Sequence, residues 1–213
     1  MPPPEDLPPG GIPATDLSQQ WEAWRPDQVA ARLAAVTAPW YVAGGWALDL
    51  YRGEQTREHG DLEIGLPAAA FSEVRDALAG CQFEVAGSGH LWPLDSPAFA
   101  LMHQVWVSEP AAGRLRGRVY RLDVFREPAA GGRWVCRRDE QIVLPYDRVI
   151  GRDRAGIPYL MPEITLLFKA KAARPKDEAD FAAALPLLSP DARGWLRQML
   201  ERVHPGHAWI GAL

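Results

Sequence analysis

The first stretch of the chain, MPPPEDLPPGGIP, shows no hydrophobic period, and its prolines supply no backbone donors, so residues 1–20 read as a flexible or extended tail. From Leu17 to Thr37 the residues Trp21, Trp24, Val29, Leu33 and Val36 fall roughly on one stripe, which predicts a helix stopped by Pro39. Trp40–Ala43 is a short apolar run that predicts a strand leading straight into Gly44-Gly45. Trp46–Arg52 then predicts a short helix closed by Gly53. After the polar loop EQTREHG, Asp61–Leu66 alternates polar and apolar residues as a half-buried strand does. Pro67 marks the first turn of the next helix, which ends at Gly80, and CQFEVAG predicts another strand. Leu101–Glu109 and Arg118–Glu127 predict two more, and Gly131-Gly132 a hairpin into RWVCRR.

After Gly151 the period changes to that of helices. Pro162 opens an amphipathic run, EITLLFKAKAAR, followed by KDEADFAAAL and DARGWLRQMLERV. Ser189 is placed to cap the last of these and Pro190 to be its first residue. There is no internal repeat. The pattern predicts an α+β protein with a mixed sheet flanked by helices over residues 21–150 and a helical C-terminal subdomain over 151–213.

Composition narrows the class of molecule. The 213 residues are 47% hydrophobic and 23% charged, which fits a globular chain able to bury a core without disulfide or zinc staples. A formal net charge of -4 argues against a protein that lives on nucleic-acid backbones. Cys81 and Cys136 lie far apart and match no metal spacing, so both are expected to be reduced and structural. No apolar run is long enough to span a membrane and no leader pattern opens the chain, so a soluble, cytoplasmic protein is expected. All three lysines, Lys169, Lys171 and Lys176, fall in one short segment.

Candidate chemistry begins with Asp61-Leu62-Glu63. On a strand, Asp61 and Glu63 share a face, and two adjacent carboxylates repel unless protons or a cation intervene. Oxygen ligands at this spacing suit a magnesium ion that also holds phosphates; the alternative is a solvated strand face. In RVYRLDVFRE, the apolar Tyr120, Leu122 and Val124 put Asp123 on the opposite face. Were its strand beside that of Glu63, three carboxylates would be available for two metal ions and a proton. Gly44-Gly45, between strand and helix, lets backbone N–H groups approach an anion at the positive end of a helix.

Together these residues resemble a known family. The stretch AGGWALDLYRGEQTREHGDLEIGL is similar to the core motif of the DNA polymerase β-type nucleotidyltransferases, above all the small enzymes that modify lincosamide and aminoglycoside antibiotics. The matching residues are Gly44, Gly45, Trp46, Gly53, Thr56, Arg57, His59, Asp61 and Glu63, with Glu63 where Asp is more usual and Asp123 as the third carboxylate. PEITLLFKAKAARPKDEADF is similar to a helical segment common behind that domain, matched at Lys169, Arg174, Lys176, Asp177 and Asp180. The resemblance implies a catalytic and metal-binding set of Asp61, Glu63 and Asp123, holding two Mg2+ ions. It implies nucleotide binding by Gly44, Gly45, Trp46, Thr56, Arg57, His59 and Lys169, with Lys169 reaching the triphosphate. Lys176 and Asp177 would hold the helix turn against the core. His59 is read equally as a phosphate contact or as a donor that orders its loop.

The implied activity moves AMP from ATP, or a monophosphate from another NTP, to a hydroxyl of a small acceptor. Glu84, Asp95, Glu109, Asp139 and Glu140 would favour a cationic aminoglycoside. The alternatives are a toxin-type nucleotidyltransferase acting on tRNA or protein, and a nucleotide-binding module without turnover. No nucleic-acid or membrane partner is expected, and the chain is read as a monomer or homodimer. His204 and His207 have a metal-like spacing without a third ligand. Trp92, Trp106, Trp134, Trp195 and Trp209 read mainly as core bulk, and Ser88-Gly89-His90 lacks the context of a hydrolase nucleophile.

Overall fold

The computed structural model describes residues 7–14, 21–110 and 118–213. In chain order the elements begin with β1 (Ile12–Pro13), α1 (Pro26–Arg32), β2 (Tyr41–Val42), α2 (Gly44–Arg52), β3 (Glu63–Pro67), α3 (Phe71–Ala77), β4 (Gln82–Gly87) and β5 (His90–Pro93). They continue with α4 (Ala98–Leu101), β6 (Gln104–Pro110), β7 (Arg118–Glu127), β8 (Ala129–Ala130), β9 (Arg133–Cys136) and β10 (Asp139–Leu144). The last are α5 (Tyr146–Val149), β11 (Ile150–Arg152), β12 (Pro158–Leu160), α6 (Pro162–Lys169), α7 (Pro175–Ala184) and α8 (Pro190–Val203). The class is α+β, as the alternating periods predict. Two compact units are built from interleaved chain: the described residues of Met1–Pro39 with Gly60–Glu127, and Trp40–His59 with Pro128–Leu213.

In the first unit the strands run in the order β1-β5-β4-β6-β7-β3. Every neighbouring pair is antiparallel except β3 with β7, which are parallel. The alternation in β3 and the residues before it is strict where it matters: Leu62, Ile64 and Leu66 are fully buried. Val85, Trp92, Ala98 and Met102 form one core cluster against Leu7, Leu94 and Phe99. The Arg126 guanidinium lies over the Phe99 ring and donates to the carbonyls of Phe99 and Met102, tying α4 to β7.

The second unit pairs β2 parallel with β12 and β12 antiparallel with β11, and carries a small antiparallel sheet in the order β10-β9-β8. The hairpin expected at Gly131-Gly132 joins β8 to β9, with both glycines at positive φ, 57° and 73°. Helices α2, α6, α7 and α8 complete it. Ser189 caps α8 by accepting from the Ala192 N–H at 3.2 Å, with Pro190 first in the helix. Phe181 and Trp209 stack at 4.3 Å, and the Trp209 indole donates to Glu178 at 2.7 Å.

Several expected elements are corrected. The helix over Leu17–Thr37 shrinks to Pro26–Arg32, with Leu17–Gln20 outside the described residues. Trp21 instead bridges Tyr120 in parallel, and the backbone N–H groups of Glu22 and Trp24 donate to the carbonyls of Tyr120 and Arg121. Pro26 explains the break: Arg25 before it is extended, at φ -85° and ψ 159°, and the helix starts at the proline. The tail expected over residues 1–20 is described only at 7–14, where β1 pairs with β5. Pro67 ends β3 rather than opening the helix, which follows a single 3-10 turn at Ala68–Ala70. Leu101 belongs to α4, so the strand expected from it starts at Gln104. Helix α6 is not amphipathic in practice, since Pro162–Leu167 are all buried.

Candidate active site

The carboxylates of the first unit are set by strand register. Glu63 and Asp123 are direct partners across the parallel pair, and the Asp123 N–H donates to the Leu62 carbonyl at 2.8 Å. Asp61 is exposed and lies just before β3 rather than within it. Asp123 is only 5% exposed. Its Oδ2 accepts from the Gln104 amide at 2.8 Å, and Oδ1 is buried, with Trp106 the direct partner across β6 and β7. Burial first, then the charge of Glu63, pushes its pKa well above the usual carboxylate range, against the pull of the Gln104 amide and the Trp106 indole.

Among the described residues no three His, Cys, Asp or Glu side chains stand close enough together to hold a metal ion. Glu63 and Asp123 lie side by side by register. The buried Asp123 beside Glu63, with the exposed Asp61 two residues before Glu63, makes a set of hard oxygens that suits a magnesium ion.

In the second unit β2 runs through Ala43 into α2 by way of Gly44, whose φ of 63° favours glycine. Gly45 is required for a different reason. A Cβ there would come within 2.4 Å of Arg57 Nη2 and 2.6 Å of the His59 ring. The loop after α2 thus lies directly against the helix N-terminus, where backbone N–H groups face outward. Gly45→Ala is expected to cost about 1–3 kcal/mol by overpacking against the fixed His59 ring, read as a lower thermal midpoint.

That ring is fixed by a residue the motif comparison passed over. Asp49, on the third residue after Trp46 in α2, is 4% exposed and binds the loop twice. Its Oδ1 accepts from the Thr56 hydroxyl at 2.6 Å, and its Oδ2 is 2.6 Å from His59 Nε2. The His59 ring packs on Trp46 at 4.5 Å between centroids. Burial is the main influence on His59 and lowers its pKa, outweighing the opposing pull of Asp49, so the neutral ring donates Nε2–H to the carboxylate. His59 is thus a loop-ordering donor in this structure, and Thr56 holds the loop with it. The sequence signal for Asp49 was an acid inside an otherwise apolar helix segment, WALDL.

Arg57 lies between these residues and α7. Its Nε and Nη2 donate to the two oxygens of Asp180 at 3.2 and 3.1 Å, and Nη1 donates to the Glu58 carbonyl. Lys169, at the end of α6, has its Nζ 2.9 Å from both Asp177 Oδ1 and Asp180 Oδ2, and only a tenth of the side chain is exposed. Asp177 accepts from the Arg174 N–H and guanidinium at 3.1 and 2.7 Å, closing the first turn of α7. The turn that the sequence gives to Lys176 and Asp177 is therefore held by Asp177, with Arg174 and Lys169 as donors. Burial alone would raise the Asp177 pKa, but the Arg174 and Lys169 hydrogen bonds outweigh it and hold it far below the usual range. The linkage follows in sign: stability from Asp177 is present above the unfolded-state pKa of about 3.9 and is lost as pH falls below it. Asp177→Asn is expected to lower the midpoint at pH 7 and to flatten the acid limb of a plot of midpoint against pH.

Other candidates resolve more simply. Glu84 accepts from Tyr120, Glu109 pairs with Arg121, and Asp139 pairs with Arg202. His204 and His207 are 6.4 Å apart between ring centroids, with no third ligand gathered among the described residues. Trp92, Trp134 and Trp209 are core residues. Ser88 and Gly89 make a tight turn in which His90 Nδ1 contacts the Ser88 carbonyl. Neither cysteine is in a disulfide, and among the described residues no helix is long and apolar enough to cross a membrane.

Residues 27–91 match the family model described as aminoglycoside-2''-adenylyltransferase, a span that holds Gly44, Arg57, His59, Asp61 and Glu63 but neither Asp123 nor Lys169. No curated protein matches the chain in sequence. Among solved structures, the lincosamide antibiotic adenylyltransferase LnuA, lincomycin-bound, is similar with a TM-score of 0.54 and 18% identity over 83% of this chain and 100% of that one. ANT(2")-Ia in complex with adenylyl-2"-tobramycin is similar with a TM-score of 0.53 and 14% identity over 82% of this chain and 97% of that one. The fold is that of these nucleotidyltransferases, and the resemblance expected from the sequence holds across the matched segment.

Proposed function

We propose that this chain is an antibiotic nucleotidyltransferase that moves a nucleoside monophosphate, AMP from ATP by resemblance, to a hydroxyl of an aminoglycoside or lincosamide. The observation that carries it is the parallel register that sets the buried Asp123 beside Glu63. Two carboxylates side by side, one of them buried, repel unless protons or a cation intervene. The family model and the fold of two antibiotic adenylyltransferases support the same reading.

Asp61, Glu63 and Asp123 would hold magnesium, which when bound neutralises charge on the phosphates and orients them for in-line displacement. Asp123, buried beside Glu63, would take the proton of the acceptor hydroxyl as oxygen attacks the α-phosphorus and pyrophosphate departs. The Gly44-Gly45 turn presents backbone N–H groups to phosphate oxygens, and Arg57 and Lys169 supply positive charge to the triphosphate. Trp46, Thr56 and His59 serve nucleotide binding indirectly, by fixing the loop that carries Arg57. In the sequence a single residue, Gly60, separates His59 from Asp61, so one short segment bears both sets of groups.

Pyrophosphate release from ATP and magnesium across a panel of aminoglycosides and lincosamides tests the assignment. Release with at least one acceptor, and none without magnesium, is expected. Silence with every member removes the antibiotic assignment, and Asp61→Asn at full activity with a proven acceptor removes its role.

A further inference from the structure

Arg57 and Lys169 come from parts of the chain more than a hundred residues apart, yet both end on one carboxylate. Arg57 makes a bidentate pair with Asp180, and Lys169 Nζ sits 2.9 Å from its Oδ2. Asp180 is 9% exposed, and its two oxygens are both used. Arg57 spends three of its donors on Asp180 and the Glu58 carbonyl, and Lys169 spends two of its three N–H groups on Asp177 and Asp180. What remains on each cation is a small number of N–H groups with fixed direction.

The network is also balanced in charge. Asp49, Asp177 and Asp180 face Arg57, Lys169 and Arg174. A long Lys side chain without such partners keeps its rotamer freedom and costs entropy to place. The bridge removes that freedom before any ligand arrives, which is the condition for an electrostatic contact that needs no reorganisation.

From this geometry we infer that Asp180 is a positioning residue that locks Arg57 and Lys169 into one polyphosphate-binding unit, so that the two cations act together rather than as separate contacts. The inference rests on the nucleotidyltransferase reading and deepens it: the α6–α7 corner and the loop after α2 recognise the β- and γ-phosphates as a single element. Asp180 itself touches no substrate.

The test is calorimetric binding of ATP with magnesium, and of AMP with magnesium, to the full chain without acceptor. The variants are Asp180→Asn, Arg57→Gln, Lys169→Gln and the pairwise doubles, each with its thermal midpoint. Asp180→Asn is expected to weaken ATP about tenfold or more, the scale of a lost charge-assisted contact, with AMP changed less than twofold. Arg57→Gln with Asp180→Asn should be no weaker than Arg57→Gln alone within about twofold. If Asp180→Asn fails to fold, the double Arg57→Gln with Lys169→Gln decides: a loss no greater than the larger single supports one unit. Multiplying losses overturn the inference, as does equal weakening of ATP and AMP, or parental ATP affinity in Asp180→Asn. A parent chain that binds no ATP overturns the nucleotidyltransferase reading itself, which the variants alone cannot do.

Discussion

Asp123→Asn is expected to abolish transfer and to melt higher than the parent in metal-free buffer. The two effects have one cause. Asp123 is buried beside Glu63, and burial and that neighbour both disfavour its charge. Asparagine keeps an acceptor for the Gln104 amide and replaces a repulsive neighbour of Glu63 with an N–H donor. Removing a strained buried charge of this kind is worth about 1 kcal/mol or more, or about 2–4 °C for a chain of this size. The same change removes a metal ligand and a proton acceptor, and general-base loss alone costs about 100- to 10,000-fold in rate. Magnesium should raise the midpoint of the parent, because it binds only the folded state, and should raise that of the variant much less. Pyrophosphate release and differential scanning, each with and without magnesium, check both halves. A variant that is inactive but melts lower would make Asp123 a structural acid. One that keeps full activity would remove it from the chemistry.

The sequence pattern carried β3 and β7 well because each has its own alternation, and Asp123 could be placed opposite Tyr120, Leu122 and Val124 without any tertiary information. Their parallel pairing could not be read, since it depends on how the intervening strands are ordered. The helix predicted at Leu17–Thr37 failed where a tertiary partner won: Trp21 packs on Trp106 and Tyr120, with ring centroids 5.2 and 5.5 Å away, and the backbone follows β7. Lys169 was visible as one of three lysines gathered in a short segment, but its partners lie eight and eleven residues on, across a break between α6 and α7 that only Pro175 hints at. Asp49 was missed because a short helix with one acid in it is common, and nothing in its spacing says that the acid points inward.

Asp49→Ala is expected to be the most destabilising single change in the second unit. The substitution leaves the Thr56 hydroxyl and the His59 N–H without their acceptor at a buried site, each worth about 1–3 kcal/mol when orphaned, and opens a small void besides. The sum is about 3–5 kcal/mol, or about 6–20 °C in thermal midpoint. Asp49→Asn separates charge from hydrogen bonding. Its amide can still accept from Thr56 and donate to His59 in the other ring tautomer, so a much smaller loss is expected, while the pull of Asp49 that raises the His59 pKa disappears. Nitrogen-15 spectra of the His59 ring would report the tautomer directly. Because His59 and Arg57 together fill the space against Gly45, loosening one frees the other, and Asp49→Ala should weaken ATP even in the cold, where the protein is still folded. A variant melting within about 2 °C of the parent would mean that the Trp46 ring and Asp180 hold the loop without Asp49, and the chain of positioning contacts would then begin at α7 rather than at α2.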